Sequence, residues 1–474
     1  MRFNRWFFPA LFLAAAAARL CHIGILWAEE TLPLASAQQM LRGKMLYRDI
    51  WFDKPPLVAA PYLLWGAHDG WPLRLAGAVY VLLACWLACR FARDLWSEPE
   101  GYWAAGLLGF FLTFDFASAV MPLASDLLLV APHLAAVWLA WKGRPFWSGV
   151  LAGAGFLISP KAVFVAAACA VWNPGGALLL AAGFLAANGV AAAVLFAGGA
   201  LPAYWDEVWQ WGRLYASLPP GEDPIRNGLV RSLDWAGFHV ALLAGAVWFF
   251  TRAKRDESRP SRFQWAAWCG LSIAGVAAGW RFFPRYYFLL LPVLVIAAAR
   301  GFTLLGRRRL AAAALLLIPL VRFAPRYGWL AAGRTDWTDT AMDRDSRAAA
   351  PLVRPLAHPG DTLFVWGFRP ELYVYTGLPA ANRFLDSQPL TGVPADRHLV
   401  ESKPVDLAGP RAHRAELAQS SPAFLIDGLG QYNPQLAIGN YADLREWFSH
   451  YREVARSGQS VIYHRLPAAP AASR

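Results

Sequence analysis

WAEETLPLASAQQMLRGKMLYRDIWFDKPPL, residues Trp27–Leu57, is a polar island in an apolar chain. It opens on two adjacent carboxylates, Glu29 and Glu30, and closes on a lysine set against two prolines, Lys54-Pro55-Pro56. An apolar run precedes it, and apolar runs follow it to about residue 324, so it is the first place where the chain offers charge at the edge of an apolar phase.

The composition identifies that phase as a bilayer. The chain is 57% hydrophobic and 16% charged over 474 residues, whereas soluble domains carry about 25% charged residues. Many apolar runs approach the roughly 20 residues that cross a membrane as a helix. The expected fold is mainly α: a polytopic transmembrane helical bundle of about eleven spans, then a small C-terminal extracytoplasmic α/β domain. The spans fall at roughly 7–27, 73–90, 102–120, 123–141, 146–159, 161–173, 177–197, 236–250, 264–280, 285–299 and 310–324. The fifth and sixth are short enough to form one re-entrant or kinked unit. The membrane domain covers residues 1–324, with outer-face loops 28–72 and 198–235, and the C-terminal domain covers 325–474. The N-terminus is basic, then apolar, then alanine-rich, like a signal peptide. It reads better as an uncleaved first helix, because the apolar run continues past Arg19 to Trp27.

The net charge of +12 belongs to this topology rather than to nucleic acid. Short connections carry Arg2 and Arg5, Arg90 and Arg93, Lys142 and Arg144, the cluster Arg252-Lys254-Arg255-Arg259-Arg262, and Arg300 with Arg307-Arg308-Arg309. The long loops alternate with them, as the positive-inside rule requires of a chain with its N-terminus in the cytoplasm and its tail outside. Arg19 and His22 interrupt the first span and read as structural. The five cysteines lie in apolar runs without ligand spacing, as small buried residues do. No Walker loop, dinucleotide fingerprint or HExxH is present, which argues against a nucleotide-driven pump.

In the tail, 359–367 and 422–428 read as strands, 370–377 as a short helix started by Pro370 and ended by Gly377, 441–458 as an amphipathic helix ended by Gly458, and the following QSVIYHRL as a last strand.

Four groups carry candidate chemistry, each with a plainer alternative. Residues Thr31 to Arg42 suit a helix lying in the membrane interface, with Leu34, Ala37 and Leu41 on one face. Its dipole would keep Glu29 and Glu30 ionised, so that one accepts a proton from a hydroxyl; equally, the pair merely caps the helix. Lys54, extended by Pro55, would stand at a helix N-terminus as an anion site, or be a loop lysine near head groups. Asp126 in MPLASDLLLVAPH and Lys161 after Pro160 are ionisable residues at membrane edges, functional or simply solvated. Arg281 and Arg285 flank WRFFPRYYF on the face where the charge rule disfavours arginine. They suit a phosphate, or else belong to an interfacial aromatic belt.

Taken in order, these pieces resemble the C-type glycosyltransferase superfamily, in the bacterial branch near protein O-mannosyltransferases and the lipid A aminoarabinose transferase. Glu29-Glu30 stands where that family usually has Asp-Glu, and GKMLYRDIWFDKPPL is similar to its following stretch. WPLRLAGAVY, GVLAGAGFLISPK and RFFPRYYFLLLPVL resemble its later spans, Asp126 falls at its second acidic position, usually Glu, and VWGFRPELYVYTGLPAANRF resembles the start of its outer domain. The resemblance implies an integral protein of the bacterial inner membrane that transfers a sugar, with inversion, from a polyprenyl-phosphate donor to a hydroxyl of a protein, lipid or glycan acceptor. Lys54, Lys161 and one of Arg281 and Arg285 would meet the donor phosphate, Glu29 or Glu30 would act as base, and Asp126 would complete the acidic set. No cofactor beyond the lipid-linked donor is implied, and nothing in the sequence demands a metal. A transporter of lipid-linked sugars would need inverted repeats and broken helices, neither of which is legible here; a non-catalytic lipid-sugar binder is the third reading.

The charge pattern makes a direct prediction: reporter fusions at about residues 257 and 400 should report opposite compartments, and the same compartment for both would defeat the topology.

Overall fold

The structure is a computed structural model that describes residues 5–217, 223–252, 260–334, 338–394, 402–405 and 408–467. Lys254, Arg255 and Arg259 of the basic cluster lie outside the described residues. The chain forms two compact units: residues 1–24, 53–61 and 70–334 make the first, and residues 25–52, 62–69 and 335–474 the second. Most of the first outer loop therefore goes with the tail.

The first unit is helical, and a helix stands at each predicted apolar run. By length and composition, three helices among the described residues suffice to cross a membrane: Trp71–Leu95, Pro174–Ala197 and Gly306–Ala331. Pro224–Phe238 and Val240–Arg252 suffice together but are bent by 85°. This broken helix, which sequence reading did not show, turns at His239. The His239 ring is buried and stacks on Trp235 and Phe111, and its Nδ1 bonds the Trp235 carbonyl 2.9 Å away. The break is packed shut.

The first helix is shorter than expected, Phe7–Leu20 rather than a run to Trp27. Arg19 explains the stop. Its buried guanidinium donates to the carbonyls of Met121 (2.7 Å) and Val120 (2.6 Å), at the end of the helix Ala117–Val120. Those carbonyls are the negative end of that helix, so the cation is met by dipoles rather than by lipid. The buried His22 follows in a turn, and the chain passes to the second unit at Ile25.

Small residues set the tightest helix pairs. On Pro145–Phe156, Gly149 and Gly153 face the carbonyls of Leu180 and Phe184 on Ala177–Ala197, and Gly183 faces the Phe146 carbonyl in return. Two glycines four residues apart let backbones approach in this way where lipid tails compete equally for apolar side chains. Val240–Arg252 and Leu291–Leu304 meet likewise at Gly245 and Gly301, where a Cβ on Gly301 would overlap the Gly245 carbonyl.

The second unit is the α/β domain. Its strands β1 (Leu363–Trp366), β2 (Phe424–Asp427), β3 (Tyr451–Ser457) and β4 (Ser460–Arg465) pair in the order β1-β2-β4-β3, with β1 and β2 parallel and the other pairs antiparallel. Every residue of β1 and β2 is buried, which matches their unbroken apolar runs LFVW and FLID. The short helix appears as Glu371–Thr376, ended by Gly377 in the left-handed conformation. The helix expected over 441–458 is corrected. Only Ala442–Leu444 and Arg445–Ser449 are helical, and Tyr451–Ser457 is strand β3, hairpinned to β4 through Gly458 and Gln459. Leu444 and Trp447 keep their helical spacing and are buried. From Tyr451 onward, pairing with β4 overrides the local pattern. Helices Thr338–Val353 and Ala408–Leu417, not anticipated, complete the unit.

The helix contact at Gly245 and Gly301 predicts that Gly301→Ala forces the pair apart and destabilises the purified protein by about 1–3 kcal/mol. Gly270→Ala, where a methyl meets nothing within 4 Å, should leave the melting temperature unchanged or raised. Equal melting of the two variants would contradict this packing.

Candidate active site

In the second unit, the acidic pair lies inside a helix rather than before one. Ala28–Leu41 begins three residues earlier than the spacing suggested, so Glu29 and Glu30 occupy its first turn. Carboxylates there favour the exposed N–H groups and positive dipole end. Glu30 is fully buried, and its Oε1 accepts from the Trp27 amide at 2.9 Å, closing the turn on itself. Glu29 is half-buried. The helix is not amphipathic, which corrects the interfacial reading: Thr31 to Ala37 are all buried, and so is Gln39. It ends in a Schellman turn at Gly43 (φ +86°), where the Gly43 amide bonds Met40 and the Lys44 amide bonds Gln39.

The tail segment that comes after β1 holds this helix in place. Gln39 Oε1 accepts from the Ala380 amide (3.2 Å), Arg42 donates to the Gly377 carbonyl (2.8 Å), and Lys44 Nζ to the Ala380 carbonyl (2.7 Å). Burial holds the Lys44 ammonium below the usual lysine range. Asp343, which sequence reading missed, fixes the other end. Fully buried on Thr338–Val353, it accepts from the Leu26 amide (3.1 Å), from Arg347 Nε (3.1 Å) and from the Tyr375 hydroxyl. Burial raises its carboxyl above the ordinary aspartate value, and the nearby Arg347 opposes the shift. The Asp343/Arg347 pair at i,i+4 was its only sequence signal.

In the first unit, three of the predicted residues come together. Asp126 lies in the helical turn Ser125–Leu128. Its Oδ1 is 3.7 Å from Lys161 Nζ, and its Oδ2 is 3.3 Å from Arg285 Nε. Lys161 caps Ala162–Trp172, and Arg285 lies on the 3-10 turn Pro284–Leu289. Tyr286, next to Arg285 and also missed, places its ring 2.9 Å (to the centroid) from the Lys161 ammonium. The three charged side chains are only 14–21% exposed. At 3.7 Å the lysine contact is an ion pair without a hydrogen bond, and the buried Nζ has no hydrogen-bond partner among the described residues. One carboxylate thus faces two cations, leaving a net positive charge with an ammonium poised to donate.

The other two predicted cations have contacts with other groups. Arg281 is buried, with its guanidinium 3.6 Å from the centre of the Tyr215 ring and donating to the Tyr215 carbonyl at 2.7 Å. Lys54 contacts its neighbour Asp53 at 3.3 Å. It does not precede an α-helix: the next element is the 3-10 turn Pro56–Val58, entered from an extended Pro55. Among the described residues, no three His, Cys, Asp or Glu gather as a metal-ligand set.

No protein-family model matches the sequence, and no curated protein matches it. Solved structures do match by fold. ArnT from Cupriavidus metallidurans bound to undecaprenyl phosphate superposes with a TM-score of 0.62 at 17% identity, over 98% of this chain and 100% of that one. ArnT in the apo state gives 0.56 at 16% identity, over 96% and 97%. The apo oligosaccharyltransferase of Archaeoglobus fulgidus gives 0.53 at 13% identity, over 95% of this chain and 73% of that one. The chain thus shares the fold of these ArnT and oligosaccharyltransferase structures.

Asp343→Ala leaves the buried Leu26 amide and Arg347 without their acceptor. It should lower stability by about 2–4 kcal/mol in denaturant unfolding of the purified protein. Asp343→Asn, which keeps one acceptor oxygen, should lose less; an equal loss would remove the carboxylate from the support of the acidic helix.

Proposed function

We propose that this protein is a membrane glycosyltransferase that takes a sugar from a polyprenyl-phosphate donor and passes it, with inversion, to an acceptor hydroxyl on the outer face of the bacterial inner membrane. The observation that carries the reading is the trio Asp126, Lys161 and Arg285, in which a buried ammonium without a hydrogen-bond partner among the described residues stands beside a guanidinium. That is the donor set a phosphate monoester or diester takes up through charge-assisted hydrogen bonds. The fold it shares with an ArnT structure bound to undecaprenyl phosphate supports a lipid-linked donor. About eleven spans, with the tail outside, is the topology that goes with it.

In the proposed reaction, the acceptor oxygen attacks the anomeric carbon as the bond from that carbon to the phosphate oxygen breaks. The bonding pair leaves with the phosphate, whose growing charge Lys161 and Arg285 stabilise. Lys54 is a further phosphate contact in this reading. Arg281, already engaged by Tyr215, holds the loop instead. The acceptor proton goes to a carboxylate. Glu29 is the preferred base, because Glu30 is occupied by the Trp27 amide. A transporter is less well supported: the broken helix at His239 is packed with aromatic rings rather than open to a ligand.

The test is transfer of radiolabelled sugar from polyprenyl-phosphate donors, with polyprenyl-phosphate binding measured in parallel. Lys161→Met and Arg285→Gln should each weaken binding at least about tenfold. Asp126→Asn, which removes a competing anion, should bind the lipid phosphate at least as tightly as the parent. Glu29→Gln should keep binding and slow turnover by about 10²–10⁴-fold. Parent-like binding in both cation variants would dismiss the phosphate site. Intact binding with no transfer under any donor would make the protein a lipid-sugar binder.

A further inference from the structure

The glycine contact that joins Val240–Arg252 to Leu291–Leu304 brings the ends of these two helices side by side. At those ends lies an open groove of about 490 Å³, within the range of small-ligand sites. Its lining divides by chemistry. Trp248, Leu304 and Leu305 form an apolar wall, and Arg252, Arg307 and Arg308 form a cationic rim. The rim is built by the backbone: Gly306 adopts φ +57°, which ends the apolar helix and starts the 3-10 turn Gly306–Arg308 that carries two of the guanidiniums. The third, Arg252, ends its own helix and lies over the Trp248 ring at 5.0 Å. All three arginines are exposed, and no carboxylate among the described residues forms an ion pair with any of them.

We propose that this groove binds one anionic phospholipid, with its phosphate held by Arg252, Arg307 and Arg308 and its acyl chains laid against Trp248, Leu304 and Leu305. Charge decides between lipids. Three guanidiniums without an ion-paired carboxylate among the described residues favour a headgroup of net negative charge, and a zwitterionic headgroup would bring a cation into the same rim. The apolar wall decides between a lipid and free phosphate, because it gives a headgroup without chains nothing to bury. Basic pockets between membrane helices near the interface are where anionic lipid headgroups settle. The groove shares no residue with the trio Asp126, Lys161 and Arg285, so it can be emptied without touching the proposed reaction site.

The test uses the full chain in mild detergent, titrated with phosphatidylglycerol, phosphatidylcholine or glycerol phosphate. Binding is read by native mass spectrometry and by the melting temperature. Phosphatidylglycerol should bind saturably at one high-affinity equivalent and raise the melting temperature, and the other two should do neither. The triple variant R252Q/R307Q/R308Q should lose roughly a hundredfold in affinity for phosphatidylglycerol. The triple lysine variant, which keeps the charge and guards against a simple folding defect, should retain most of it. Trp248→Ala should weaken phosphatidylglycerol while leaving the response to glycerol phosphate unchanged. Equal binding of phosphatidylglycerol and phosphatidylcholine would overturn the proposal, as would a glutamine triple variant that melts normally and binds like the parent. A response to glycerol phosphate matching that of the lipid would reassign the groove to free phosphate.

Discussion

A charge surrounded by apolar helices has to be compensated where it stands, and this constraint shapes the first unit more than any apolar contact does. Burial of an uncompensated ion costs several kcal/mol. Arg19 meets the constraint with the carbonyls of Val120 and Met121, and so ends the first helix and ties it to a distant turn. Glu100 meets it with Arg300 (2.6 Å) and Thr303 (2.7 Å). Both solutions are closed. The trio Asp126, Lys161 and Arg285 is not: two cations share one carboxylate, and the ammonium keeps donors to spare. The same physical rule thus separates charges that hold the fold from charges that await something.

Much of this was legible in the sequence, for reasons that can be traced. Apolar runs located the helices because only a helix satisfies its own backbone in lipid. The carboxylate and cations of the trio could be singled out individually, because an ionisable residue in an apolar run is conspicuous. Their convergence could not, because Asp126, Lys161 and Arg285 lie on three separate segments and are joined only by tertiary packing. Arg281 illustrates the limit. Its sequence context matches that of Arg285 four residues later, yet its guanidinium is taken up by Tyr215.

Local rules failed in two instructive places. Over 441–458 the apolar spacing fitted a helix, but pairing with the strand beyond Gly458 claimed the second half of the segment. In the first outer loop, helical spacing suggested an amphipathic surface helix, whereas Ala28–Leu41 is buried nearly all round. Its sequence, rich in alanine and small polar residues, does not announce burial. The partners that bury it come from a segment more than three hundred residues away, as the contacts of Gln39 and Lys44 with Ala380 show. That same packing made Glu30 a structural cap and kept Glu29 half-exposed. Sequence proximity alone had no means of dividing the pair.

The length of the Asp126 side chain bears on how the trio would work. Its Oδ1 stops 3.7 Å short of Lys161 Nζ, beyond hydrogen-bond reach. With an effective dielectric constant of about 20, stretching a charge contact from about 2.8 Å to that distance gives up roughly 1.4 kcal/mol, close to a tenfold weakening, before the lost hydrogen bond is counted. A glutamate at this position, one methylene longer, could close the gap and occupy the ammonium. Aspartate compensates the two cations only in part, and leaves the lysine easy to recruit. An arriving phosphate would compete with the 3.3 Å contact between Asp126 and Arg285. An aspartate here, where the family that the sequence resembles usually has glutamate, would suit the proposed phosphate site by keeping it ready rather than blocked.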